Sequence, residues 1–256
     1  MEVTDTATII ARVRAAESEL PPGARLFVDP FAHLFASDAE PDVLDEQLTS
    51  LPFFREQVRA RTRFIDDFVL EGVSGGARQI VILGAGFDCR ALRLRAIAET
   101  GSRVYEVDFP SQLETKRRAL AAGGVAIPDH LRLVGCDFNA AGFESSLTAG
   151  LVAAGFSGGA LTLFLWEGVI TYLEPGEIER MLCWMARAGA RGSRVVFNYT
   201  VNLLAGNTVE SMSARGEAAG FSSVDDRSVG AVYRHYVRAE PPSEVADLFR
   251  LAVAVR

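Results

Sequence analysis

The chain is short of the residues that build metal centres and disulfide frameworks. Its 256 residues hold three cysteines (Cys89, Cys136, Cys183) and three histidines (His33, His130, His235). The cysteines are odd in number and no two stand at metal-ligand spacing, so neither a disulfide framework nor a zinc site is expected. The histidines sit in dissimilar contexts and complete no metal pattern. A run of one charge is also missing. The formal charge is -7, with acidic and basic residues interspersed. A phosphate backbone or an anionic lipid surface would repel such a body, which argues against nucleic acid and membrane as partners. No apolar stretch approaches the length needed to span a bilayer. The opening MEVTDTATIIARVRAAESEL is a mixed-charge helical stretch without the apolar centre of a signal peptide. There are no repeats, no low-complexity linker, no nucleophile elbow and no phosphate-binding P-loop. These absences predict a reduced, soluble, cytoplasmic protein.

What is present is ordinary globular composition, 49% hydrophobic and 23% charged, at a length that suits one α/β domain. Residues 1–72 read as a helical cap: a helix over 5–20, a turn at Pro21-Pro22-Gly23, and shorter helical pieces around 30–48. A long helix follows over 52–72, with Thr49 or Ser50 as N-cap and Pro52 near its first turn. From residue 78 short apolar runs alternate with helical patterns. Strands are expected at 79–83, 103–107, 131–136, 160–165 and 194–199, and helices near 88–98, 110–122, 141–154 and 175–189. Strands apolar on both faces and separated by helices imply a mostly parallel sheet covered on both sides, a Rossmann-like α/β fold. Residues 73–200 form this core. The pattern weakens over 201–245, and 248–255 reads as a last strand, so 201–256 is a C-terminal part of the same domain.

The strongest local signal is IVILGAGFDCRALRL, where a strand runs into Gly84-Ala85-Gly86 and a helix begins soon after. Gly84 and Gly86 let backbone pass close to a ligand at the carboxyl end of the first strand. A dinucleotide site calls for G-x-G-x-x-G, but Cys89 holds the third glycine's place and Asp88 precedes it. A carboxylate there opposes a pyrophosphate. It tolerates a ligand with a nucleoside and an amino acid but no phosphate, which describes S-adenosylmethionine. Asp108 ends the second strand, where it either accepts bonds from ribose hydroxyls or caps the helix starting at Pro110. Glu106, two residues earlier on the same strand face, competes for the ribose. Asp137 follows the third strand, placed for an adenine amino group, with Phe138 beside it for the ring face. Glu167 follows the fourth strand. Each acid alone reads as a cap, but three at the ends of adjacent strands converge on one crevice.

Helical geometry adds Arg61. Over 52–72 the residues Phe54, Val58, Ile65, Phe68 and Val69 share one face, and Arg61 falls within it. Arg59, Arg63, Asp66 and Asp67 point elsewhere, Arg63 and Asp67 as an exposed i,i+4 pair. A guanidinium in an apolar stripe needs a partner. That partner is either a buried structural carboxylate or the ligand's own carboxylate, held bidentately. Tyr199 and Asn198, by the end of the fifth strand, can border a substrate pocket or pack in the core.

The runs ARTRFIDDFVLEGVSGGARQIVILGAGFDCRALRL, YEVDFPSQLETKRRAL and LWEGVITYL resemble the leucine carboxyl methyltransferase family over about residues 9–200. The family holds the enzyme that methylates the C-terminal leucine of a protein phosphatase and many bacterial O-methyltransferases of small molecules, polyketides among them. The resemblance implies a class I methyltransferase fold with an N-terminal helical cap, S-adenosylmethionine as cofactor, and a place in natural-product metabolism. It further implies Arg61 for the cofactor carboxylate and Gly84 and Gly86 for its amino-acid part. Asp108 would take the ribose, Asp137 and Phe138 the adenine, and Glu167 the methionine end. Arg14 to Ser18 and Asp29-Pro30 resemble the family's lid. The stretch from the fifth strand to Gly220-Phe221 is shorter than the resemblance implies. With no clear base, though Tyr199 and His235 are candidates, the expected acceptor is a carboxyl or an acidic hydroxyl of a small molecule. The alternatives are a cofactor-binding protein without transfer activity and, disfavoured by Asp88 and Cys89, a nicotinamide oxidoreductase.

Overall fold

The computed structural model describes residues 3–36, 50–201 and 207–256. Seven strands form one sheet in the order β3-β2-β1-β4-β5-β7-β6. They are β1 Gln79–Leu83, β2 Arg103–Asp108, β3 Leu131–Gly135, β4 Thr162–Trp166, β5 Arg194–Thr200, β6 Ser223–Ser228 and β7 Phe249–Val255. β1 to β5 pair in parallel, and β7 runs antiparallel between β5 and β6. The helices among the described residues are α1 Val3–Glu19, α2 Phe54–Ser74, α3 Arg90–Arg93, α4 Arg95–Glu99, α5 Pro110–Ala122, α6 Phe143–Ala153, α7 Pro175–Ala188, α8 Val209–Ala219 and α9 Val229–Val237.

Alternation along the strands divides the core into two apolar layers. Val81, Leu83, Tyr105, Val107, Phe164 and Phe197 face α6, α7 and α8. Ile80, Ile82, Val104, Leu163, Leu165 and Val196 face α2, α4 and α9. The central strands β1 and β4 are buried throughout, as near-continuous apolar runs in a doubly covered parallel sheet must be. Fully buried Ile65 and Val69 anchor α2 on the sheet, and Val58 packs with Ile9 and Val13 of α1, each contributing about 1.5–3 kcal/mol of apolar burial.

The five parallel strands and β7 lie within a residue or two of the positions read from the sequence. The helix expected over 88–98 is two pieces, because Leu94 is extended (φ -88°, ψ 92°) between α3 and α4. Of the two proposed caps of α2, Thr49 lies outside the described residues and Ser50 is not the cap: the helix starts after Phe53, which adopts a left-handed conformation (φ 68°) without a side-chain capping bond. Of the helical pieces expected around 30–48, only the stretch to residue 36 is described, and it holds a single 3-10 turn, Ala32–Leu34. In 201–245, α8 opens on a Thr208–Ser211 capping box and α9 on a Ser228 cap.

Candidate cofactor site

The chain leaves β1 towards β2 and β3 on one side and returns through β4 on the other, so the carboxyl ends of β1, β2 and β4 border the switch-point crevice. Gly84 and Gly86 turn the backbone there with φ of 67° and 47°, a region that favours glycine. The Gly84 and Ala85 amides donate to the Val107 carbonyl at 2.8 and 3.0 Å, which fixes the turn on β2. A side chain at Gly84 would stand 2.3 Å from Val169 Cγ2.

Asp108 closes this turn. Its Oδ2 accepts the Gly86 amide and its Oδ1 the Phe109 amide, each at 2.7 Å. Phe109, at the N-cap of α5, has no side-chain cap, so Asp108 holds the glycine turn and does not cap the helix. Burial raises its pKa, opposed by these two amides. Glu106 is out of contention for a ligand. It is fully buried and bound to Lys116, the chain's single lysine, at 2.5 Å; Lys116 Nζ also donates to the Asp88 carbonyl at 2.5 Å. Asp137 is exposed beyond β3 and accepts the Asn139 amide at 2.9 Å. Phe138 is buried against Phe143 in an edge-on contact (6.0 Å between centroids), so most of its ring serves the core.

Arg61 and Glu167 meet: Nε donates to Oε1 at 2.7 Å, and Arg61 Nη1 donates to Gln57 at 3.2 Å. The partner of Arg61 in the protein itself is thus a carboxylate, and that carboxylate is another of the sequence candidates. Glu167 Oε2 also accepts from Arg90 Nη1 at 2.8 Å. Burial would raise the Glu167 pKa, but the Arg90 and Arg61 guanidiniums outweigh it and hold the carboxyl below its usual range.

Sequence reasoning missed the network that continues from here. Asp66, assigned to an outward direction, is buried, because α2 packs on more than one side. It accepts from Arg90 Nε at 2.8 Å and from Arg93 at 2.7 and 2.6 Å. Arg90 also binds Asp88, whose carboxyl is held at about 2: burial pushes it up, and Arg90, Arg14 and Lys116 push it down further. Asp88 therefore faces inward, already paired, and does not repel a ligand. What disfavours a pyrophosphate is the four-residue α3, too short to present a helix N-terminus. The only forward sign was two arginines three apart after the glycine loop.

The cap closes over this loop. Arg14 donates to the Phe87 carbonyl and pairs with Asp29 at 3.2 Å, and Asp29 lies 3.8 Å from Arg93. Ser18 Oγ accepts the Asp29 amide at 2.8 Å. Near the start of α1, Tyr172 bonds Thr6 at 3.1 Å.

The two base candidates lie elsewhere. Tyr199 is buried, and its hydroxyl donates to Asp226 on β6 at 2.7 Å, with Arg250 on the same carboxylate; burial and Asp226 raise its pKa. His235 is exposed on α9 against Tyr236, lining an open surface concavity with Arg234, Arg238, Ala239 and Glu240. Asn198 is the one that borders the site: its Oδ1 accepts the Gly168 amide at 2.6 Å, next to Glu167. Among the described residues no three His, Cys, Asp or Glu side chains are grouped to hold a metal, and no helix is long and apolar enough to cross a membrane.

Comparison with known proteins bears on this site. A provisionally named S-adenosyl-L-methionine-dependent methyltransferase of Parafrankia sp. (strain EAN1pec) is 39% identical over 197 residues, 74% of this chain and 61% of its own length. One from Mycobacterium marinum (strain ATCC BAA-535 / M) is 32% identical over 254 residues, 90% of this chain and 74% of its own. The chain spans 53% of the length of a similar protein from Mycolicibacterium smegmatis. A provisionally named methyltransferase from Thermobifida fusca YX has the same fold, with a TM-score of 0.60 at 16% identity over 96% of this chain and 94% of that one. The model of leucine carboxyl methyltransferase matches residues 7–186, which reach from α1 into α7 and include every candidate except Asn198, Tyr199 and His235. The chain belongs to the leucine carboxyl methyltransferase family.

Proposed function

We propose that this chain binds S-adenosylmethionine and transfers its methyl group to a carboxyl or acidic hydroxyl of a small molecule, in natural-product metabolism. The observation that carries the reading is the convergence of Asp108, Asp137 and Glu167 at the ends of β2, β3 and β4 around the Gly84–Gly86 turn. The donor set suits a nucleoside joined to an amino acid. Carboxylates face the crevice, while Arg90 and Arg93 are engaged by Asp66, Asp88 and Glu167 and offer no free charge to a phosphate. Bound S-adenosylmethionine supplies an electrophilic methyl group on a sulfonium. The residues of the chain do the holding: Asp108 accepts from the ribose, Asp137 from the adenine amino group, and Arg61 and Glu167 take the carboxylate and ammonium of the amino-acid end. The cap over the Gly84–Gly86 turn keeps the reaction zone dry, where alignment lowers the barrier most. Tyr199 is committed to Asp226 and His235 faces solvent, so an acceptor that is already ionised suits this site better than one needing a base.

The test is turnover of methyl-labelled S-adenosylmethionine against a panel of carboxylic acids, phenols, amines and thiols. Labelled ester or ether supports the reading; label only on amines or thiols overturns the acceptor class. The lack of a base among the candidates favours one second reading, a protein that binds the cofactor without transferring methyl. Tight binding of S-adenosylhomocysteine with no turnover across the panel would select it.

A further inference from the structure

Four guanidiniums (Arg14, Arg61, Arg90, Arg93) and four carboxylates (Asp29, Asp66, Asp88, Glu167) lie in one chain of buried ion pairs. The two arginines on Glu167 are not equivalent. Arg61 has Glu167 as its carboxylate partner and the neutral Gln57 as its other contact. Arg90 holds Asp66, Asp88 and Glu167 together, and its own amide donates to Asp88 at 2.7 Å. Removing Arg90 from Glu167 would disturb two other buried carboxylates; removing Arg61 would disturb none. Arg61 is therefore the one free to change partners.

We infer that Arg90 is the positioning residue of the cofactor site: it keeps Glu167 charged and aimed while Arg61 exchanges Glu167 for the ligand's carboxylate. The inference rests on the proposed roles of Arg61 and Glu167 at the amino-acid end. The exchange balances charge. The ligand's ammonium replaces Arg61 at Glu167, the ligand's carboxylate replaces Glu167 at Arg61, and the network stays neutral. Neutrality matters because an uncompensated charge at this depth is costly. Four charged groups face Glu167: Arg61 from α2, Arg90 from α3, Asp88 from the glycine loop and Arg14 from α1. Asp88 opposes the Glu167 charge and Arg14 favours it least, so without Arg90 the charge rests chiefly on Arg61 before ligand arrives.

The test is calorimetric binding of S-adenosylhomocysteine between about pH 5 and 7.5, where a single linked proton changes affinity by roughly tenfold per pH unit. The wild-type protein should bind with nearly constant affinity across this range. Arg90→Met should bind normally only at the upper end and lose affinity towards the slope of one proton as pH falls. Arg90→Lys should restore most of the flat profile, and Arg90→Met/Glu167→Gln, with no carboxylate to titrate, should bind weakly but independently of pH. If Arg90→Met does not fold, Arg90→Gln takes its place and should show the same slope, with Arg90→Lys again restoring most of the flat profile. A flat profile in Arg90→Met or Arg90→Gln, or a uniform loss that lysine does not rescue, overturns the inference and leaves the cofactor reading standing. A wild-type protein that binds no S-adenosylhomocysteine overturns both.

Discussion

Arg61 and Glu167, 106 residues apart in sequence, share a hydrogen bond of 2.7 Å at the crevice. One residue rides on the cap-side helix and the other ends a central strand, so the bond joins the two halves of the site. Arg61→Ala should weaken S-adenosylmethionine binding by roughly 1–3 kcal/mol, the cost of a charged hydrogen-bond partner, and should affect a decarboxylated analogue much less. Arg118, in an exposed i,i+4 pair with Glu114, is the control; Arg118→Ala should change neither affinity, since such pairs contribute about 0–1 kcal/mol. Equal losses for both ligands would make Arg61 a purely structural partner of Glu167.

Asp108 carries two backbone amides, and this alters what its removal should do. Asp108→Ala leaves the Gly86 and Phe109 amides unpaired, so it should lower the ligand-free melting temperature as well as cofactor affinity, by about 1–3 kcal/mol in each. Asp108→Asn keeps one acceptor oxygen and should recover much of the stability but less of the affinity. An Asp108→Ala protein as stable as wild type would contradict the turn-closing role.

The Glu106–Lys116 pair should leave a mark on stability against pH. Burial pushes the Glu106 carboxyl up to about 7, against the pull of Lys116. An acid whose folded pKa is raised binds more protons folded than unfolded, so stability is full below the ordinary glutamate range and falls as pH rises towards 7. Melting temperatures measured over that window should decline with pH in the wild type, and Glu106→Gln should flatten the decline. Lys116→Met, leaving a buried acid alone, should cost about 3–5 kcal/mol near neutrality. An unchanged slope in Glu106→Gln would assign the pH dependence to another group.

The two loop glycines should differ in tolerance. Both have positive φ, but a methyl at Gly84 meets the stiff side chain of Val169 at 2.3 Å, whereas one at Gly86 meets Ala7 Cβ at an ordinary 3.5 Å. Gly84→Ala should therefore lower thermal stability more than Gly86→Ala, which should cost no more than the backbone strain of about 1–3 kcal/mol. Thermal melts of the two ligand-free variants decide it, and the reverse order would mean that Val169 yields easily.

The parallel core was legible because β1 and β4 are buried on both faces, which forces uninterrupted apolar runs. β6 was not legible. SVDDRS alternates exposed and half-buried residues, and as an edge strand it is held by β7 alone. The acids at the strand ends were readable for the same reason as the strands, since each directly follows or ends an apolar run. Asp66 was misplaced because a one-stripe reading of α2 cannot anticipate a helix buried on two sides. Arg90 and Arg93 went unnoticed because their meaning depends on Asp66 and Glu167, which only the fold brings near. Tyr199 and His235 were weighed as bases on chemistry alone, and their surroundings are set by β6 and α9, the very elements the sequence concealed.

The bridge from Arg14 through Asp29 to Arg93 has a consequence for how the molecule opens. A helix packed on the outside of a sheet commonly opens at little cost, as a small independent unit. Here the last turns of α1 cannot lift without stranding Asp29 beside an arginine at the edge of the glycine loop. The amides of residues 12–17 should then exchange with solvent on the timescale of the sheet, and the chain from Arg14 to Glu167 should come apart as one cooperative unit.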